Sequence, residues 1–238
     1  MNYLSPNRTH PRNHIIDTIT IHCFVGQVTA QRGCEVFAKS QRKASANYVV
    51  GYDGSVGVSC PEEDRSWCSS NAANDNRAIT IEVASETTYP YKVTDAAMEA
   101  LINLLVDVCK RNNIKQLLWK NDPSLIGQVD KQNMTLHRWF ANKACPGEYL
   151  IEKHPYIVQE VNSRLGVLYR VQCGVFALQI NAFAMERKLM QIGFQPKTMW
   201  DGKLYVVNAC RFSYLNDAKD VQKICKQNKI TAILKKEN

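Results

Sequence analysis

The sequence has no run of 18 or more apolar residues, so it contains no candidate transmembrane helix. Its opening residues, MNYLSPNRTHPRNH, are polar and lack the hydrophobic core and cleavage site of a secretory signal peptide. The nine cysteines are scattered without CxxC spacing, which argues against a zinc ribbon and a thioredoxin-type motif. We therefore expect a protein made in the cytoplasm without a signal peptide, with free thiols and no membrane partner.

The formal net charge of +8 is unevenly distributed along the 238 residues. Residues 1–166 hold 18 Lys and Arg against 17 Asp and Glu, whereas residues 167–238 hold 12 against 5. Hydrophobic residues make up 45% and charged residues 22%, values that exclude a disordered or low-complexity chain. The charge asymmetry predicts two modules, one nearly neutral and one strongly basic.

The first module alternates strands and helices in the pattern of an α/β domain over residues 1–165. Apolar periodicity predicts strands at 15–24, 78–84 and 134–137, a hairpin over 47–60 that turns at Asp53-Gly54, and helices over 94–112 and from about Pro146 to Gly166. Residues 61–77 are rich in Ser, Asn and Asp and are predicted to form a loop. The expected architecture is a mixed central β-sheet flanked by helices.

The second module, residues 167–238, repeats internally with a period of 36 residues. The matched pairs are Tyr169 with Tyr205, Val171 with Val207, Phe176 with Phe212, Ala182 with Ala218, and Phe194 with Ile230. Each half is predicted to form a strand, a helix and a strand, and Asp201-Gly202 joins the halves as a hairpin turn. This duplication predicts a small ferredoxin-like βαββαβ domain.

Three predicted strands of the first module end alike, with a threonine, an apolar residue and then a histidine or glutamate. The three endings are Thr20-Ile21-His22, Thr80-Ile81-Glu82 and Thr135-Leu136-His137. Because alternate residues share a face of a strand, His22, Glu82 and His137 are expected to converge if the strands form one sheet. Cys145 directly precedes Pro146, where a helix is predicted to begin, and a helix N-terminus lowers the pKa of a thiol.

Two imidazoles and one thiolate with an open fourth position describe a catalytic zinc site, so His22, His137 and Cys145 are candidate Zn²⁺ ligands. A thiolate offsets part of the zinc charge, which gives Glu82 a purpose as the general base that takes a proton from the attacking water. Lys143 is a candidate for stabilising an oxyanion. Taken singly, each of these residues is also explained as a polar strand end, a buried thiol or a solvated charge.

The segments ITIHCF, ASANYVVGYDGSV, RSWCSSNAANDNRAITIEVA and TLHRWFANKACPGEYL resemble those of the type 2 N-acetylmuramoyl-L-alanine amidases, over about residues 5–165. This zinc family includes phage lysins and peptidoglycan recognition proteins. The roles that the resemblance implies are zinc ligands for His22, His137 and Cys145, general base for Glu82 and oxyanion stabiliser for Lys143. Some lysins of the family place a catalytic tyrosine shortly before the hairpin turn, but we assign that role to Glu82 and expect Tyr48 in the core.

The same resemblance implies that the loop at 61–77 lines the substrate groove. The candidate substrate-binding residues on it are Trp67, Asn74, Asn76 and Arg77. An aromatic ring stacks well on the face of a sugar, but Trp67 is equally explained as a packing residue.

The second module opens with YRVQCGVF at 169–176, which is similar to the opening of the sporulation-related repeat (SPOR), a peptidoglycan-binding module. Known members bind glycan strands stripped of stem peptides. Tyr169, Val171 and Phe176 are also alternating core positions of a strand. The resemblance implies a wall-binding domain at 167–238, and its positive charge suits anionic wall polymers.

Together these features predict hydrolysis of the amide between N-acetylmuramic acid and L-alanine in peptidoglycan. The protein would be a phage or prophage endolysin, or a bacterial autolysin, that acts on the cell wall after release. One alternative is a non-catalytic peptidoglycan receptor on the same fold, although such receptors typically lack the cysteine ligand and Cys145 is present here. The other is nucleic-acid binding through the basic module, but no segment has the aromatic Gly-Phe signature of RNA-recognition domains, so no nucleic acid is expected as a partner.

Overall fold

The computed structural model describes residues 3–213 and 215–237. The chain divides into two compact units, Met1–Val161 and Asn162–Asn238. The division falls inside one long helix, a few residues before the boundary that the charge distribution predicts. Within the described ranges, no helix has both the length and the apolar character needed to cross a bilayer.

The first unit is built on a five-stranded sheet. The strands described in this unit are β1 (Arg8–Thr9), β2 (Thr18–Cys23), β3 (Tyr48–Val50), β4 (Val56–Val58), β5 (Arg65–Ser66), β6 (Ala78–Val83) and β7 (Met134–Thr135). Its helices are α1 (Ala30–Phe37), α2 (Ala72–Arg77), α3 (Asp95–Arg111) and most of α4 (Glu148–Arg164). The order in the sheet is β4-β3-β6-β2-β7, and β1 pairs separately with β5. β6 runs parallel to β2 and β3, β7 runs parallel to β2, and β4 is antiparallel to β3. The predicted α/β class with a mixed central sheet is confirmed.

The core of the first unit contains the isoleucines of its central strands. Ile19, Ile21, Ile79 and Ile81 are completely buried, and burying one such side chain stabilises the fold by about 1.5–3 kcal/mol. α3 contacts β3 and β6, and it begins as predicted, with Thr94 accepting a hydrogen bond from a backbone N–H of its first turn. The apolar residues that alternate along the strands and those that recur at helical spacing in α3 therefore pack into one core.

Two short helices of the first unit are not predicted by the sequence. α1 contains Gly33, which weakens a helix but is needed here because a Cβ would lie 2.6 Å from Cγ1 of Val49 on β3. The apolar residues of α2 are two adjacent alanines at its start, so no helical periodicity marks it. The Asn71 side chain caps α2 by accepting from the backbone N–H of Asn74 at 2.9 Å. The prediction of a loop throughout 61–77 is therefore wrong for this helix.

The second unit is a four-stranded antiparallel sheet with two helices. Its elements are β8 (Leu168–Phe176), α5 (Gln179–Gln191), β9 (Lys197–Trp200), β10 (Tyr205–Phe212), α6 (Leu215–Gln227) and β11 (Ile233–Glu237). The order in the sheet is β11-β8-β10-β9, which is the ferredoxin-like βαββαβ arrangement predicted from the repeat. Gly202 of the turn between the halves has a φ of 99°, a conformation that glycine adopts without strain.

One histidine of the first unit is buried away from the strand ends. His154 of α4 is completely buried, and its ring centroid lies 4.4 Å from that of Trp119. Its Nδ1 lies 2.6 Å from the carbonyl oxygen of Leu150, while Nε2 has no hydrogen-bond partner among the described residues. Burial lowers the pKa of His154 to about 4.

We expect His154 to make the first unit sensitive to acid. The ordinary histidine pKa of 6.5 lies above the folded value of about 4, so the unfolded chain binds the extra proton. The free energy of unfolding therefore has its highest value, with respect to this group, above about pH 7. It falls by up to about 3 kcal/mol as the pH drops toward 4. Chemical denaturation of His154→Leu should show a smaller loss of stability on acidification than the wild type. His14→Gln, which changes an exposed histidine, is the control, and an unchanged acid response in His154→Leu would contradict the assignment.

Candidate metal and catalytic site

Strand register brings the three similar strand endings of the first unit to neighbouring positions in the sheet. In the parallel pairing of β2 with β6, Thr20 lies opposite Thr80 and His22 lies opposite Glu82. In the pairing of β2 with β7, Thr20 lies opposite Thr135. Because alternate residues share a face, the histidine and the glutamate follow the threonines on the same side of the sheet.

His137 lies just beyond β7, as the first residue of a 3-10 turn (His137–Trp139), so the strand predicted at 134–137 ends two residues early. Its ring still lies beside that of His22, with 5.1 Å between the ring centroids. Sγ of Cys145 lies 3.3 Å from Nδ1 of His22. One candidate ligand atom from each of the three residues lies within 4.8 Å of the other two. Two nitrogens and one sulfur that converge in this way fit a zinc ion.

Burial sets the protonation of the two imidazoles. It lowers the pKa of His22 to about 3, with a smaller contribution from His137. Burial also lowers the pKa of His137, and the charge of Lys143 adds to this effect. Both rings are therefore neutral near pH 7, in the form that binds metals. Nε2 of His22 is buried and has no hydrogen-bond partner within the described ranges.

The thiol of Cys145 differs from the expectation that a helix N-terminus lowers its pKa. Its pKa is raised, first by a hydrogen bond with Cys23 and then by burial and the charge of Glu82. α4 begins only at Glu148, three residues beyond the thiol, so the expectation is wrong. A divalent cation favours the thiolate, and binding would release the proton.

The side chain of Glu82 is partly buried and lies beside the candidate ligands. Sγ of Cys68 donates to its Oε1 over 3.8 Å, and Oε2 is buried without a partner among the residues described. Burial raises the pKa of Glu82 to about 7, and the charge of Arg42 opposes this shift. A carboxyl group that titrates near neutrality is able to accept a proton and return it.

Glu82 and His137 line a cleft of about 520 Å³, and the predicted residues Lys143 and Trp67 line it as well. Trp67 is 37% exposed, and its Nε1 donates to Oγ1 of Thr9 at 3.0 Å. That hydrogen bond holds the indole at the cleft wall. Four of the residues predicted from sequence therefore share one cavity.

The other three predicted substrate-binding residues do not line this cleft. Asn74 is buried and bonds the threonines of β2 and β7. Nδ2 of Asn76 donates to the carbonyl oxygen of Ala72 at 2.9 Å, and Nε of Arg77 donates to Oδ1 of Asp17 at 3.0 Å. The structure therefore does not bring these three residues to the cleft, because each side chain is occupied in holding α2 and its surroundings.

Sequence reasoning misses two residues beside the site. Asp75 is buried and accepts from the backbone N–H groups of Cys68 at 3.0 Å and of the following serine at 3.1 Å. Oγ of Ser70 lies 3.2 Å from Nε2 of His137. One signal in the sequence indicates the helix that carries Asp75: Asn71 is a good helix cap, and an acidic residue follows at the position of a first helical turn.

Comparisons with known proteins give one family. Residues 12–148 match the family model described as N-acetylmuramoyl-L-alanine amidase, and the search of curated proteins returns no match. Among solved structures, the chain is similar to PlyL, with 16% identity and a TM-score of 0.48 over 67% of this chain and 88% of that one. It is similar to the N-acetylmuramoyl-L-alanine amidase LysC from Clostridium intestinale URNW, with 18% identity and a TM-score of 0.41 over 65% of this chain and 88% of that one. It is also similar to the peptidoglycan binding domain of the B. subtilis cell wall lytic enzyme CwlC, with 28% identity and a TM-score of 0.30 over 30% of this chain and 91% of that one.

The matched segment is more than half of the chain. It contains His22, Glu82, His137, Lys143 and Cys145. The chain therefore belongs to the N-acetylmuramoyl-L-alanine amidase family, whose reaction is the hydrolysis of an amide bond of peptidoglycan.

Proposed function

We propose that this amidase depends on zinc and cleaves the bond between the lactyl group of N-acetylmuramic acid and L-alanine. Residues 1–165 form the catalytic domain, and residues 167–238 bind the cell wall. The protein is made in the cytoplasm and acts on the wall after release, as a phage or prophage endolysin or as a bacterial autolysin.

The convergence of His22, His137 and Cys145 carries the zinc proposal. Their ligand atoms lie within 4.8 Å of one another, both imidazoles are neutral, and one ring nitrogen of His22 is buried without a partner in the described chain. Nitrogen and sulfur donors suit Zn²⁺, whereas Mg²⁺ and Ca²⁺ prefer oxygen. Zinc, when bound, supplies a Lewis acid that polarises the scissile carbonyl.

Glu82 and Lys143 have complementary roles in the proposed reaction. Glu82, with a pKa of about 7, takes a proton from the attacking water and returns it to the leaving amine of L-alanine. Lys143 lies in the same cleft and acts on the pKa of His137, so its charge is close to the candidate ligands. We assign Lys143 to the oxyanion of the tetrahedral intermediate. Trp67 offers its exposed ring to a sugar face.

The second unit is assigned to binding peptidoglycan and anionic wall polymers. Its opening is similar to SPOR, and residues 167–238 carry 12 basic against 5 acidic residues. Tyr169 and Val171 of that opening are buried, so these motif residues pack the core. We assign binding to the exposed positive charge of this unit, and nucleic acid is not an expected partner.

Mass spectrometry of peptidoglycan digested by the zinc-loaded protein tests the proposed function. We expect stem peptides with new L-alanine amino termini, together with glycan strands that keep their lactyl carboxyl groups. A zinc-loaded protein that binds walls but releases no such termini would favour the alternative, a non-catalytic peptidoglycan receptor.

Cys145→Ser should remove most of the bound zinc, because a hydroxyl group is a poor replacement for a thiolate. After dialysis against metal-free buffer, elemental analysis should find about one zinc per chain in the wild type and far less in the variant. Cys210→Ser removes a half-buried thiol of the second unit and should retain the metal. Near-stoichiometric zinc in the Cys145 variant would exclude this thiol as a ligand.

Glu82→Gln should keep the zinc and lower turnover by about 10²–10⁴-fold, because the amide cannot accept the proton of the attacking water. Release of L-alanine amino termini and metal content are measured on the same preparation. Glu63→Gln makes the same change of charge at an exposed position outside the cleft and is the matched control. A wild-type rate in the Glu82 variant would rule out its role as the base.

A further inference from the structure

A groove of about 650 Å³ runs beside α6 in the second unit. Four exposed lysines line it, Lys219, Lys223, Lys226 and Lys229, and we call it the lysine groove. Their spacing of three or four residues puts them on one side of the helix and the turn that follows. Among the described residues no carboxylate lines the groove, and the ion pairs described in this unit join Arg170 and Arg211 to Glu237 instead.

The repeat provides an internal comparison for these lysines. A shift of 36 residues aligns α5 with α6, residue for residue. The positions of the four lysines are occupied in the first half by Phe183, Arg187, Met190 and Gly193. The same strand-helix-strand unit therefore folds without a row of lysines. Like charges three or four residues apart also destabilise a helix, so the row is not explained by the stability of α6.

The backbone of Lys229 has the same left-handed conformation as that of its glycine counterpart in the first half. Its φ is 57°, and Gly193, the equivalent residue of the first half, has a φ of 88°. In both halves the next N–H bonds back to the helix, from Ile230 to Cys225 at 2.9 Å and from Phe194 to Leu189 at 3.1 Å. Glycine is preferred in this left-handed position because a side chain strains it. A lysine in a strained position, where its counterpart is glycine, indicates that its charge serves binding rather than the stability of the fold.

The second wall of the lysine groove is tied to α6. Nε2 of Gln222 donates to the carbonyl oxygen of Ala232 at 2.9 Å, and both residues line the groove. This hydrogen bond joins the helix to residues 230–232. The ammonium groups therefore border a groove whose two walls are held together.

We infer that the lysine groove binds a phosphodiester polymer of the bacterial cell wall, with successive phosphates meeting successive lysines. The inference rests on the proposed function of the second unit in wall binding, and it names the site and the polymer. A neutral glycan offers no charge to four lysines for which the described residues form no ion pair, whereas a flexible chain of repeating anions releases counterions at each contact.

Titration of the full chain with poly(glycerol phosphate) tests this inference. One variant replaces the four groove lysines by glutamine. The matched control carries Lys197→Gln, Lys203→Gln, Lys235→Gln and Lys236→Gln, at exposed positions of the same unit outside the groove. Both variants lower the formal net charge from +8 to +4, so only the position of the charges differs. For a complex held by four phosphate contacts, raising the salt from about 50 to about 200 mM should weaken binding roughly 50-fold. The groove variant should lose that salt dependence.

Loss of affinity in the groove variant with retention in the control supports the inference. Equal loss in both variants, or in neither, would overturn it, as would tighter binding of duplex DNA than of the polymer at equal phosphate concentration. Because the polymer contains no muramoyl amide, the result is independent of the amidase reaction.

Lys229→Gly alone separates the charge from the fold. We expect weaker binding of the polymer and no fall in the midpoint of thermal unfolding, since glycine relieves the left-handed strain. Unchanged binding by this variant would contradict a role for Lys229.

Discussion

The parallel register between β2 and its two neighbours is the constraint on which the site depends. It sets His22 opposite Glu82 and aligns Thr20 with Thr80 and Thr135. Because the side-chain period of a strand is two residues, a slip by one residue would turn the histidine or the glutamate toward the apolar core. Sheet pairing thus positions one candidate metal ligand, His22, and the proposed base, Glu82, before any loop is considered.

That register also buries threonine hydroxyls, which require hydrogen-bond partners. Thr20 and Thr135 share a hydrogen bond of 2.7 Å, and Thr80 shares one of 2.7 Å with Ser66. Asn74 donates to Thr20 and accepts from Thr135. The polar segment around α2 therefore covers the floor of the site, which explains why several of its residues do not face the cleft.

Much of this arrangement was predictable from sequence, because the strands alternate regularly and the three Thr-x-His or Thr-x-Glu endings share a period. The 36-residue repeat likewise predicts the ferredoxin-like unit without any contact information. The remainder depends on tertiary partners: α2 exists through its cap and buried polar groups, not through periodicity. The raised pKa of Cys145 depends on Cys23, which is distant in sequence, so local helix geometry alone misleads.

X-ray absorption at the zinc edge of the zinc-loaded full chain tests the site of His22, His137 and Cys145 most directly. The three residues predict one sulfur and two imidazole nitrogens in the first coordination shell. A shell without sulfur would contradict the site. A shell with two sulfurs would also contradict it, because a second thiol such as Cys68 would close the position that the reaction requires to be open.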